Sequence, residues 1–242
     1  MLLNEEADVA FPDPWSVEEA IKRLEASGAI SKERLIRLEF RFISLMGFSE
    51  EQSAWTLYDV IMNDPRMFSE LICLACSSDE TTAKIAWRIL RNCRRLPGSR
   101  PDNTIDPEAL IEFIEKTREL CQAAGKLTVC DLVLGEIMSY SPVGSDGVWP
   151  CEPVREVLDR PELERMRRGF QRGVLSRFRI FSKACYEGGD QERELASIYR
   201  NYADALRGSY PYLASALDEI AKTYERFGEY EDWDALLRLE GY

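Results

Sequence analysis

Along most of the chain, apolar residues return every three or four positions between short polar interruptions, the period of a half-buried helix. In "SKERLIRLEFRFISLMG", Leu35, Ile36, Leu38, Phe42 and Leu45 keep that spacing, with Ser31 as N-cap and Gly47 as stop. The preceding "SVEEAIKRLEASG" carries a capping box, Ser16 with Glu19, and ends at Gly28, which suits a left-handed C-terminal position. "SEEQSAWTLYDVIMNDP" repeats the arrangement with Ser49 and Gln52 and must stop before Pro65. "RMFSELICLAC" and "TTAKIAWRILRNCRRL" read as two more helices, the second halted by the turn formers of "PGSRPDNTIDP". Asp106 and Pro107 then open "EALIEFIEKTRELCQAAG", which closes at Gly125, and "TVCDLVLGEIMSY" follows with Thr128 as its cap.

The rhythm breaks twice. "SPVGSDGVWPCEP", from Ser141 to Pro153, is rich in proline and glycine and predicts a linker between a helical domain over 1–140 and helical hairpins over 154–242. Two short helices are predicted near Val154–Leu158 and Glu162–Gln171. "GVLSRFRIFSKACYEGG" lacks apolar residues in helical phase and is open to three readings: a β-ribbon, an extended loop or a disordered stretch. Helices resume at Asp190, Tyr210 and Tyr230. About ten helices with short connections and no strand–helix alternation predict an all-α protein of stacked antiparallel hairpins, as a solenoid or an irregular bundle.

In "GGDQERELAS" the two glycines and the acid suggest a phosphate cradle or a cyclase-type hairpin. A cradle needs a preceding strand and preferably a lysine at the helix start, and the cyclase hairpin needs strands on both sides. Instead Leu195, Ile198, Tyr199, Tyr202, Ala203 and Leu206 share one helix face, so Gly188, Gly189 and Asp190 read as a helix start with Asp190 as its cap.

Within "LDEIAKTYERFGEYEDWDALLRL", Leu217, Ile220, Ala221, Tyr224, Gly228, Tyr230 and Leu237 resemble a tetratricopeptide-type helical hairpin. The resemblance implies close helix approach at the small residue, an aromatic filling the groove, and a helix end at Gly228. Trp233 departs from it, standing where the pattern has Ala. Over a longer span, "PDPWSVEEAIKRLEASGAISKERLIRLEF", "WRILRNCRR" and "EGGDQERELA" resemble the C-terminal helical region of long bacterial proteins of unknown function. That resemblance implies a helical accessory region and brings no catalytic motif.

Composition narrows the chemistry. The chain has 242 residues, 43 acidic and 31 basic, for a net charge of -12. That argues against nonspecific binding of nucleic acid or a membrane surface by the chain as a whole. No apolar run is long enough to span a bilayer, and the acid-containing N-terminus does not read as a signal peptide. Seven cysteines at irregular spacing predict buried thiols in a reduced, cytosolic protein. The absence of histidine removes Ser-His and Cys-His nucleophile pairs and most zinc sites. No cofactor and no metal are expected.

Several candidates remain. Cys73 and Cys76 form a C-x-x-C inside an apolar helix, where small buried hydrophobes fit better than a zinc or redox pair. Arg165, Arg167, Arg168, Arg172, Arg177, Arg179 and Lys183 are interleaved with Phe170, Phe178 and Phe181 and with no acid. Guanidinium forks suit phosphates and carboxylates and aromatics stack on bases, so the stretch is a candidate partner site; its alternative is pairing with the protein's own acidic helices. A second basic run, Arg88, Arg91, Arg94, Arg95 and Arg100, reads as a solvated helix end. The pairs Glu18/Glu19 and Glu50/Glu51 fit first helical turns, and Asp102 with Asp106 falls short of a calcium loop. Trp55, Trp87, Trp149 and Trp233, with Tyr199, Tyr202, Tyr210 and Tyr212, are expected between helices, and Trp149 is the candidate surface anchor. These observations point to a non-enzymatic scaffold or adaptor that binds another protein. One alternative is a nucleic-acid-responsive regulator or defence component using Arg165–Lys183; another is an enzyme using carboxylates and arginine on a phosphorylated substrate.

Overall fold

A computed structural model describes residues 14–42, 55–177 and 188–239. Among them the chain is all-α, as its periodicity predicts: helices and one short 3-10 turn, no strand, and one isolated bridge between Ser99 and Ile105. The helices are α1 (Pro14–Ser27), α2 (Lys32–Phe42), α3 (Trp55–Ile61), α4 (Pro65–Ala75), α5 (Glu80–Asn92), α6 (Pro107–Ala123), α7 (Leu127–Met138), α8 (Glu152–Leu158), α9 (Glu164–Ser176), α10 (Asp190–Leu206) and α11 (Pro211–Leu239), with the 3-10 turn at Pro161–Leu163. No described helix is long and apolar enough to cross a membrane. The chain divides into two compact units, Met1–Ile61 with Leu74–Cys93, and Met62–Cys73 with Arg94–Tyr242.

In the first unit, Gly28 (φ 60°) turns α1 into α2, where the Ser31 carbonyl accepts the Leu35 amide. Ser16 does not cap α1, since the helix already runs from Pro14 and Ser16 is inside it. The Ser49–Gln52 box and the stop at Gly47 lie outside the described residues. The start of α3 is held from elsewhere in the chain. Glu39, fully buried on α2, accepts the amides of Thr56 (3.3 Å) and Leu57 (2.6 Å), while Glu25 accepts the Thr56 hydroxyl (2.9 Å). Burial pushes the Glu39 carboxyl up to about 7, against the pull of those two amides.

In the second unit, α6 starts on Asp106, whose carboxylate accepts the Ala109 amide (3.1 Å), with Pro107 in the first turn. Gly125 (φ 68°) closes its far end. Thr128 does not cap α7; the helix opens at Leu127 after Lys126. α7 is apolar on nearly every side and is the buried centre of this unit, with Val133, Leu134, Ile137 and Met138 all 2% exposed or less. It lies against α9 along a glycine seam. A Cβ on Gly135 or Gly169 would run into the facing backbone carbonyls of Met166 and Leu132. The two backbones therefore approach closer than any larger residue permits.

The Ser141–Pro153 segment lies inside the second unit and is tightly tied. Arg155 on α8, 2% exposed, grips both carboxylate oxygens of Asp146 (2.7 Å each) and donates to the carbonyls of Val148 and Pro150 (2.5 Å each). Ser141 Oγ accepts the Cys151 amide (3.0 Å), and the Trp149 indole donates to the Ser141 carbonyl (2.8 Å). Proline and glycine here shape a packed loop. α9 also runs further than expected, to Ser176, because Val174 continues the buried row of Met166 and Phe170. Residues 178–187, the rest of the "GVLSRFRIFSKACYEGG" stretch before Gly188, lie outside the described residues.

α10 and α11 form an antiparallel hairpin through the turn after Leu206. The separate helix expected from Tyr230 does not exist, because α11 continues through Gly228. That glycine is a contact rather than a stop: Gly189, at the start of α10, sits against the Gly228 backbone with no room for a Cβ. The helix start expected at "GGD" is present. Asp190 is nevertheless not its cap: Gly189 stands at the cap position, its amide donates to Asp232 of α11 (2.8 Å), and Asp190 instead pairs with Arg193 (2.6 Å).

Candidate binding cleft and the arginine stretch

The described arginines of the basic stretch are bonded within the chain. Arg167 is 7% exposed and donates to the carbonyls of Leu158 (2.9 Å), Arg160 (2.5 Å) and Pro161 (3.2 Å), satisfying the open end of α8. Its guanidinium also lies 5.2 Å from the Tyr212 ring centre, and burial draws its pKa down. Arg168 pairs with Glu164 one turn back (2.6 Å), Arg172 reaches Glu136 on α7, and Arg165 donates to the Thr128 hydroxyl. Arg177 donates to the Ser139 carbonyl (2.5 Å) and lies 4.7 Å from the centre of the Tyr140 ring. Arg179, Lys183, Phe178 and Phe181 fall outside the described residues.

The second basic run is likewise engaged. Arg91 stacks over Trp87 (5.7 Å), Arg94 over Tyr140 (5.7 Å), Arg95 donates to the Ser99 carbonyl (3.3 Å), and Arg100 pairs with Asp106 (2.7 Å). Asp102 accepts from both the amide and the hydroxyl of Thr104, in a local turn through Asn103 (φ 64°). Glu18 and Glu19 pair with Lys22 and Arg23 on the same helix. Among the described residues no group of three or more His, Cys, Asp or Glu side chains is placed to hold a metal. Cys73 and Cys76 are half-buried, less covered than their apolar helix suggested, while Cys93, Cys121, Cys130 and Cys151 are buried.

Trp149 and Trp233 exchange their expected places. Trp149, the candidate surface anchor, is 9% exposed and stacks on Phe170 (5.0 Å, 20°). Trp233, expected between helices, is 67% exposed. Around it on the outer half of α11, Phe227 is 43% exposed, Tyr230 70% and Leu236 58%. These four step three residues at a time and so sweep about half of the way around α11, with Leu236 one turn beyond Asp232, which meets α10.

Trp149 lines a cleft of ≈ 370 Å³ in the second unit. Its walls come from three places: the 141–153 loop, the end of α9, and the facing sides of α10 and α11. Trp149 meets Tyr199 edge-on (5.9 Å) and Tyr202 at a tilt (6.2 Å), and Tyr199 stacks on Tyr224 (5.5 Å, 8°). Val143 and Ile198 stand at the rim, 54% and 39% exposed. Among the described residues Arg177 is the cation of this cleft. Burial raises the Tyr199 and Tyr224 phenols above their ordinary value, while the charge of Arg177 pulls them back. Both remain protonated donors at neutral pH. Of the sequence-predicted residues the cleft gathers only Trp149 and Arg177. The tyrosines that complete it were legible as one face of α10, but their meeting with Tyr224 and Trp149 depends on how the hairpin folds back.

No family model, curated protein or solved structure proves similar to the chain.

Proposed function

We propose that the protein is a non-enzymatic helical scaffold or adaptor that acts by holding another protein, and that the partner docks on the outer half of α11. The observation that carries this reading is the exposure of Phe227, Tyr230, Trp233 and Leu236 within ten residues of one helix. Large apolar side chains left in water at one place mark contact surfaces more often than chance decoration, and tryptophan and tyrosine are the residues that most often carry binding energy. The partner's matching face is apolar, so the complex should persist at high salt. Nucleic acid, the alternative partner, would contact through arginine and should be lost steeply as salt rises.

The test is the paired substitution Tyr230→Glu and Trp233→Glu in the full chain. A partner protein held stoichiometrically by the unchanged protein, after nuclease treatment and at high salt, should be released by the double variant while its circular dichroism stays the same. Retention of that partner by the variant, or recovery of nuclease-sensitive material alone, contradicts the reading.

A further inference from the structure

The Trp149 cleft is a second site, separate from the outer half of α11, and its chemistry differs. Its walls hold three tyrosines and an indole beside four aliphatic side chains, and among the described residues its one cation is Arg177. Among the described residues no carboxylate pairs with Arg177, unlike Arg168 and Arg172 beside it. A guanidinium has five N–H donors, and among the described residues the one hydrogen bond Arg177 makes is to the Ser139 carbonyl. The ring of Tyr140 beneath it fixes its plane. A cation with free donors, at the edge of a low-dielectric aromatic wall, attracts an oxyanion more strongly than one in open water. The volume, ≈ 370 Å³, lies at the small end of the roughly 300–1,000 Å³ that small-molecule sites occupy. It is too small for a helix of a partner protein, some 10 Å across, and the stacked and edge-on rings favour a flat guest.

The geometry points to a binding site for a small planar aromatic anion, its ring among Trp149, Tyr199 and Tyr202 and its oxyanion on Arg177. The anionic group is a carboxylate or a phosphate monoester, both of which match the guanidinium fork. This assignment does not depend on the docking face proposed for α11.

Calorimetric titration of the full chain with 2-naphthoate, 2-naphthyl phosphate and neutral 2-naphthol tests it. One or both anions should bind saturably at one site, and the one that binds identifies the oxyanion. The neutral analogue should bind at least about tenfold more weakly. Arg177→Gln should weaken the anions about tenfold and leave 2-naphthol unchanged. Ile198→Glu sets a like charge on the rim without entering the core, so it tests the same point should the arginine variant fold poorly. It too should weaken the anions alone. The assignment is overturned if none of the three binds saturably, if 2-naphthol binds as tightly as the anions, or if neither variant changes anion affinity.

Discussion

The inner half of α11 buries Leu213, Ala214, Leu217, Ile220 and Ala221 completely and Tyr224 to 2% exposure, whereas its outer half leaves Phe227, Tyr230, Trp233 and Leu236 between 43% and 70% exposed. Both halves belong to one unbroken helix of apolar and charged residues. Phe227 and Tyr230 lie before Asp232, alongside the first turn of α10, so the difference is one of side as well as of length. α11 has 29 residues and α10 has 17, and the seven residues from Trp233 to Leu239 carry α11 about 10 Å past Asp232 at about 1.5 Å per residue. Asp232 meets the first turn of α10 through Gly189 and Arg193. Burial of the inner half stabilises the fold. The outer half carries as many large apolar groups and contributes little to stability, which is the pattern expected of a surface kept for a partner.

The hairpin is most sensitive where its helices touch without side chains. Gly189→Val drives a Cβ into the Gly228 backbone. With no flexible side chain to yield there, the α10–α11 hairpin should open, seen as loss of the cooperative thermal transition. Ile220→Ala, in the inner half, removes a side chain with no exposure and should cost about 2–5 kcal/mol in chemical denaturation.

A third prediction separates the two units. The Glu39 carboxyl is raised from 4.5 to about 7 in the folded protein. The folded state therefore holds the proton more tightly than the unfolded chain. The resulting stabilisation is complete below pH 4.5, falls as pH rises through about 7, and is gone above it. Its full size is about 3 kcal/mol. Denaturation at pH 5 and pH 8.5 should show the unchanged protein losing that much more stability than Glu39→Gln over the same interval. Partner retention by α11, in the other unit, should be the same in both. The smallest effect is expected on the outer half: Tyr230→Ala and Trp233→Ala should each shift stability by no more than about 0.5 kcal/mol.

Local signals in the chain located what local physics decides. Gly28 and Gly125 adopt the left-handed turns their positions suggested, and Asp106–Pro107 opens α6 as such a pair should. Failures arose wherever one local signal serves two tertiary ends. Gly228 looks like a helix stop, yet it leaves space for Gly189 within a continuous helix, a role that exists only when α10 returns alongside. The prolines and glycines of 141–153 suit a free linker or a packed loop equally, and the choice rests on Arg155 reaching back to Asp146 and the loop carbonyls. The arginine run was visible as charge, but whether a guanidinium faces a partner or caps α8, as Arg167 does, depends on which helix end lies beside it. The exchange of Trp149 and Trp233 has the same origin: periodicity places both on helical or loop backbones and is silent on which one α10 and α9 cover.

The central claim, that the outer half of α11 is a docking face, is tested most directly by placing a photocrosslinking residue at position 233 and, as a control, at 207 on the α10–α11 turn, where Arg207 pairs with Asp204 and Asp218. Irradiation in native extract, followed by identification of the adducts, is expected to give one dominant protein adduct from position 233 and not from 207. No adduct at 233, or the same adducts from both positions, would contradict the account.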